Sequence, residues 1–201
     1  MNNKTNYELF PTLITKYDEI FTTQQLHDIF DYCKEQLQID YFLLIGEGKS
    51  SYDINSKILE NIGKDVSSCN KINVFIQGLL DQYTADINIK NLQIQNSWFN
   101  VQQQNSMLLQ HYHPMSIVSA ALYINVDASS SKIYFENPNN LIRHLNSYKG
   151  ELNSYNKFNN EFFWFAVKPG DIIFFPSWIK HGGYFESNNT KDRMVISLNA
   201  F

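Results

Sequence analysis

Apolar positions along the chain follow two different periods, and the change between them divides the molecule. Thr22 followed by Gln25 is a capping-box pattern, and Leu26, Ile29, Phe30, Cys33 and Leu37 recur behind it as one stripe of an amphipathic helix. A short helix is predicted over 54–62. A longer one is predicted over 70–85, where Ile72, Phe75, Ile76, Leu79, Leu80 and Tyr83 repeat at helical spacing. From Leu92 the period becomes 2 and stays there. Strands are predicted over 94–102, 108–113, 117–126, 132–135, 161–167, 171–175, 182–186 and 193–201, with turns at Gln104-Asn105-Ser106, Pro169-Gly170 and Asn188-Asn189. Residues 1–21 read as an extended lead-in. Gly46-Glu47-Gly48-Lys49-Ser50-Ser51 lacks the spacing of a phosphate loop and reads as a flexible loop.

Helices first and short strands afterwards predict an α+β protein. Its core is a sandwich or jelly roll carrying the N-terminal helices on one face. A single domain is expected over 1–201, helical over 1–90 and β over 91–201, with a long polar loop over 137–160 on its rim.

Composition narrows the function classes. The 201 residues hold 15 Phe and 12 Tyr, as expected of an ordered, aromatic-rich β structure. A formal net charge of -4 supplies no basic field for a nucleic-acid backbone. The two cysteines, Cys33 and Cys69, have no metal-binding spacing, and Cys33 belongs to a core stripe. No apolar run reaches the roughly 18 residues of a membrane span. A cytoplasmic protein with no membrane partner is expected.

Chemistry concentrates in two segments, Gln110-His111-Tyr112-His113-Pro114 and the run from Pro169 to His181. On an extended segment Leu109, His111 and His113 share one face, with Gln110 and Tyr112 on the other. A third imidazole, His181, follows a turn-strand-Pro pattern. Three histidines from two strand ends can hold one face of a metal ion and leave positions open for substrate and oxygen. His27 lies in the first helix and His144 in the polar loop, away from this grouping.

The chain from about Leu92 to Phe201 resembles the iron(II)- and 2-oxoglutarate-dependent oxygenases, in particular small members from phage and marine bacterial genomes. The residues carrying this are Leu9-Phe10-Pro11, Trp98-Phe99-Asn100, His111-Tyr112-His113-Pro114, Ser119-Ala120-Ala121-Leu122-Tyr123-Ile124, Phe174-Phe175-Pro176-Ser177-Trp178 with His181, and Arg193-Met194-Val195-Ile196-Ser197-Leu198-Asn199. The resemblance implies a double-stranded β-helix core, Fe(II) and 2-oxoglutarate as cofactors, and hydroxylation of a substrate with release of succinate and CO2. His111, His113 and His181 take the metal positions. Arg193 takes the place of the basic residue that binds the far carboxylate of 2-oxoglutarate, as a guanidinium suits. Asn100 and Gln102 take positions whose polar side chains touch the co-substrate, and Val195 stands where some members carry a serine. Ser197, about 13 Å along an extended strand from Arg193, should not share its carboxylate.

One departure stands out, because most members place a carboxylate where His113 stands. Either three histidines hold the iron, or Glu136 or Asp127 replaces His113 as a ligand, or turnover is lost. The run from Gly170 to His181 also fits the second cupin motif, so a three-histidine dioxygenase without 2-oxoglutarate is the enzymatic alternative. A non-enzymatic jelly-roll binding module with a structural metal is the other. Against the cupin, Ile117 and Val118 occupy the places where its glutamate is expected. Tyr112, Trp178 and Tyr184 are candidates for the entrance. A small molecule or a peptide is the expected substrate, with nucleic acid disfavoured, and N-terminal helices of this kind often form homodimers.

Overall fold

The computed structural model describes residues 8–139, 154–183 and 186–201. Three α-helices pack on one face of an antiparallel sheet, as the period change predicts. Helix α1 (Thr23–Glu35) starts at the expected capping box: the Gln25 backbone N–H donates to Thr22 Oγ1 at 3.3 Å, and the Thr22 N–H donates to Gln25 Oε1 at 3.1 Å. It ends before Leu37, which is exposed rather than part of the stripe. Helix α2 (Ile58–Asp65) begins four residues later than expected, and α3 (Ile72–Asp86) lies where its apolar stripe puts it.

The strands are β1 (Thr15–Tyr17), β2 (Ile39–Asp40), β3 (Leu44–Ile45), β4 (Gly48–Ser50), β5 (Ile94–Gln102), β6 (Met107–Leu108), β7 (Val118–Asn125), β8 (Ile133–Glu136), β9 (Phe162–Phe165), β10 (Ile172–Pro176), β11 (His181–Gly182) and β12 (Arg193–Ala200). Seven of them form one sheet in the order β1-β10-β7-β12-β5-β4-β2, and β11-β8-β9 form a second, shorter one. The pair β3-β6 stands apart as a two-stranded ribbon. Every ladder is antiparallel. Two facing antiparallel sheets with helices outside give the α+β jelly-roll architecture expected.

Alternation along β12 shows how the layers are built. Met194, Ile196, Leu198 and Ala200 pack into the core shared with the helices, together with Ile29, Ile76, Leu80 and Tyr83. Val195 faces the other way, into a second core with Tyr123, Phe135, Phe175 and Ile179 between the two sheets. The face carrying Arg193, Val195 and Ser197 therefore looks into the barrel.

Some expectations are corrected. Gly48–Ser50, read as flexible loop, is β4 and pairs with β5 from Gly48↔Gln102 to Ser50↔Asn100, closing an edge that would otherwise leave backbone groups unmatched. Gly48 is required there, since a Cβ would meet the Val101 carbonyl at 2.8 Å. The lead-in contributes β1, an edge strand. The expected 108–113 strand stops at Leu108, and among the described residues of the expected 182–186 strand only Gly182 lies in a strand. Part of the 137–160 loop lies outside the described residues, as do His144 and Tyr184. Among the described residues no helix is long and apolar enough to cross a membrane.

Candidate metal centre

His111 and His113 converge without a continuous strand beneath them. Backbone hydrogen bonds do the work. His111 and His181 exchange a pair, each N–H donating to the other's carbonyl at 2.8 Å, and the His113 N–H donates to Ser177 O at 2.9 Å. The ligating atoms of the three histidines lie within 4.8 Å of one another. Gly182 lets the segments approach this closely, because a Cβ there would meet Leu109 O at 2.7 Å and Gln110 Cα at 3.0 Å.

Each imidazole is held through Nδ1. His111 Nδ1 lies 2.9 Å from Leu109 O, His181 Nδ1 lies 2.9 Å from Ile179 O, and His113 Nδ1 lies 2.6 Å from Asn199 Oδ1. All three partners are carbonyl-type acceptors, so each Nδ1 carries the proton and each Nε2 keeps a free lone pair. Asn199 is itself fixed by Ser119 Oγ at 2.9 Å, and Ser119 contacts Ser177 Oγ at 2.7 Å. Burial holds all three rings below their ordinary pKa: His111 is lowered, His113 falls to about 4, and His181, which also feels its two neighbours, falls well below 6.5. Three neutral imidazoles aimed at one point form a donor set suited to a divalent transition metal.

The two carboxylates considered as replacements for His113 are engaged elsewhere. Glu136 pairs with Lys180 at 2.9 Å. Asp127 accepts from Ser129 and Thr190 in the turn after β7. His27 is an exposed residue beside Asp31 on α1.

A narrow cavity of about 50 Å³ runs from the histidines to Arg193 and is also lined by Asn100, Gln102, Tyr123 and Ser197. Arg193 is only 5% exposed, yet among the described residues no carboxylate lies within ion-pair reach of it. Its Nη1 donates to Gln102 Oε1, its Nη2 donates to Ser131 O at 3.3 Å, and it lies over the Tyr123 ring at 5.6 Å. Arg193 Nε and Gln102 Nε2 are buried without an acceptor. Burial lowers the guanidinium pKa. A buried cation and two unmet donors beside a cavity are what a carboxylate ligand would satisfy. Asn100 accepts from Ser50 Oγ at 2.7 Å and donates to Ser197 Oγ at 3.2 Å. Ser197 thus lines the cavity with Arg193 but is bound to Asn100.

A family model described as "Putative 2OG-Fe(II) oxygenase" matches residues 96–199, more than half of the chain, including the three histidines, Asn100, Gln102 and Arg193. The chain belongs to the 2OG-Fe(II) oxygenase family. It is an oxygenase whose family cofactors are Fe(II) and 2-oxoglutarate, and the two halves of the cavity fit them. Solved structures share the fold at low identity. A prolyl-4-hydroxylase from Pseudomonas putida has a TM-score of 0.58 at 10% identity, over 94% of this chain and 91% of that one. HygX from Streptomyces hygroscopicus, with nickel, 2-oxoglutarate and hygromycin B bound, has 0.60 at 12%, over 94% and 82%. The viral collagen prolyl hydroxylase vCPH of Paramecium Bursaria Chlorella virus-1, in its 2OG complex, has 0.58 at 8%, over 93% and 94%. No curated protein matches the chain.

Reading the sequence for site residues overlooked Asn199, Ser119 and Ser131. Asn199 is separated from His113 by 86 positions, and only its alternation with Arg193 along β12 could have placed it on the inner face. Tyr112 and Trp178, candidates for the entrance, are exposed and do not line the cavity.

Proposed function

We propose that this oxygenase is a 2-oxoglutarate-dependent dioxygenase that hydroxylates its substrate at a three-histidine iron centre. His111, His113 and His181 would hold Fe(II) through Nε2, and Arg193 would hold the far carboxylate of 2-oxoglutarate. Iron bound there would supply oxygen activation coupled to oxidative decarboxylation, one oxygen atom going to succinate and the other to the substrate, with CO2 released. The chain's own part is geometric and electrostatic. Carbonyl acceptors lock the three imidazoles in the metal-binding tautomer, Gln102 and Ser131 aim the guanidinium, and the buried walls keep water from the reacting atoms.

The observation carrying this reading is Arg193, a buried cation with no carboxylate within ion-pair reach among the described residues and an unmet donor at the end of the metal cavity. A three-histidine cupin or a structural metal module gives that residue no role. Anaerobic titration of the apoprotein with Fe(II) and then 2-oxoglutarate tests it. A weak visible charge-transfer band is expected, diminished in His113→Ala and Arg193→Ala. Tight iron binding with no band would remove 2-oxoglutarate from the account.

A further inference from the structure

The surroundings of the proposed iron site contain almost no charge. Between Lys90 and Asp127 the chain has no Lys, Arg, Asp or Glu, and this stretch supplies β5, β6, β7 and the ligands His111 and His113. The facing segment Tyr41-Phe42-Leu43-Leu44-Ile45 is likewise uncharged. Among the described residues only two charged side chains line the cavity, Lys132 and Arg193. Arg193 is assigned to the co-substrate, and Lys132 Nζ is neutralised by Glu186 at 2.9 Å.

The half-buried residues of the cavity wall are Leu44, Asn100, Leu108, His111, Lys132 and Ser197, and the two leucines form its apolar rim. Tyr123 and Arg193 are buried, whereas Leu44 and Leu108, paired across the β3-β6 ribbon, are half-buried. Beside them Tyr41 lines the cavity, and its ring contacts Phe42, which is 68% exposed. Tyr52 touches both rings and also Trp98, which in turn lies 5.7 Å from the His113 ring. An unbroken aromatic path therefore runs from a metal ligand to the surface.

We infer that the substrate of this oxygenase is an uncharged, apolar, ring-bearing small molecule that enters over Phe42, Tyr41, Leu44 and Leu108. This rests on the proposed iron and 2-oxoglutarate sites. A cationic substrate would be desolvated here beside a metal that three neutral imidazoles leave unneutralised, and an anionic one would meet no cationic side chain at Phe42, Tyr41, Leu44 or Leu108, a costly entry for either. An apolar ring gains from leaving water and from aromatic contact geometry. A peptide would need backbone hydrogen-bond partners, and the apolar side chains of this entrance offer few.

The test uses a matched pair of probes, neutral N-phenyl-1-naphthylamine and its sulfonated analogue 8-anilinonaphthalene-1-sulfonate. Both are titrated into full-length protein carrying 2-oxoglutarate and either Zn(II) or paramagnetic Co(II). The neutral probe is expected to bind one-to-one and to be quenched by Co(II) relative to Zn(II). Phe42→Asp should weaken it by about tenfold or more, and Leu44→Asn, which adds no charge, should weaken it as well. Ile45→Asp is the control, because Ile45 is 52% exposed and alternation directs it away from the cavity. No binding of the neutral probe, equal Co(II) quenching of the sulfonate, or indifference to Phe42 and Leu44 would overturn the inference. The Fe(II)–2-oxoglutarate band of the wild type reports separately on the cofactor sites. A band without probe binding defeats the substrate assignment alone, and absence of the band defeats the proposed function.

Discussion

His113 Nδ1 and Asn199 Oδ1 lie 2.6 Å apart, the shortest side-chain support that any of the three histidines has. The pair joins the candidate ligand that departs from the family pattern to the end of the central strand β12. Asn199→Leu should free the His113 ring and weaken metal binding by about 10- to 100-fold. Asn199→Asp should strengthen it, because a carboxylate on Nδ1 raises the basicity of Nε2. Chelator-competition titrations with Zn(II) would measure both.

Arg193 is proposed to serve a ligand at the expense of the fold. Arg193→Met should weaken 2-oxoglutarate binding by about 100-fold or more, read by calorimetry on the Mn(II)-loaded protein. The same change should raise the thermal midpoint of the apoprotein, since it removes a buried charge with an unmet donor. Loss of binding together with lowered stability would mean that the guanidinium is structural.

Protonation of the three rings sets the acid limit. Their folded-state pKa values lie below the unfolded value near 6.5, with His113 at about 4. Between those limits the unfolded chain binds more protons, so stability rises with pH across the window and levels off above about 6.5. Acidification from 6.5 towards 4 should therefore lower apoprotein stability progressively. His113→Gln should flatten part of that slope in denaturant titrations at a series of pH values.

Two glycines should answer oppositely to alanine. Gly182→Ala drives a methyl group into the Leu109 and Gln110 backbone, and separating those segments should weaken metal binding by about tenfold or more. Gly78 lies inside α3, and a Cβ there meets nothing within 4 Å. Gly78→Ala should stabilise the protein by about 0.5–1 kcal/mol with metal affinity unchanged.

Much of this arrangement is legible from residue order. The capping box at Thr22, the stripe over α3, the period-2 pattern of β5 and β12 and the continuous apolar runs of β7 and β10 are local signals, and the elements lie where those signals are. The histidine grouping is legible too, although the reason is different from strand alternation. After Leu108 the backbone leaves the ladder, and His111 and His113 are aligned by long-range bonds to His181 and Ser177. Strands β1 to β4 were hidden because they are only two or three residues long and have no period of their own. Their pairing is imposed by the edges of β5 and β10 and by the free side of β6. Asn199 was hidden for a related reason: a polar residue at a strand end shows its purpose only when its neighbour across the barrel is known.

Strand β12 also acts as a gauge. Arg193 and Asn199 share its inner face six residues apart, about 20 Å at strand rise, one proposed to anchor the distal acid and the other holding the His113 ring. Inserting one residue between them would turn one of the two into the helix-packed core, unless a bulge absorbed it. Inserting two would restore the face but move the anchor about 7 Å from the metal, more than the whole span of a five-carbon diacid can absorb. On the proposed reading, the number of residues in this one strand would set the chain length of the dicarboxylate that the centre accepts.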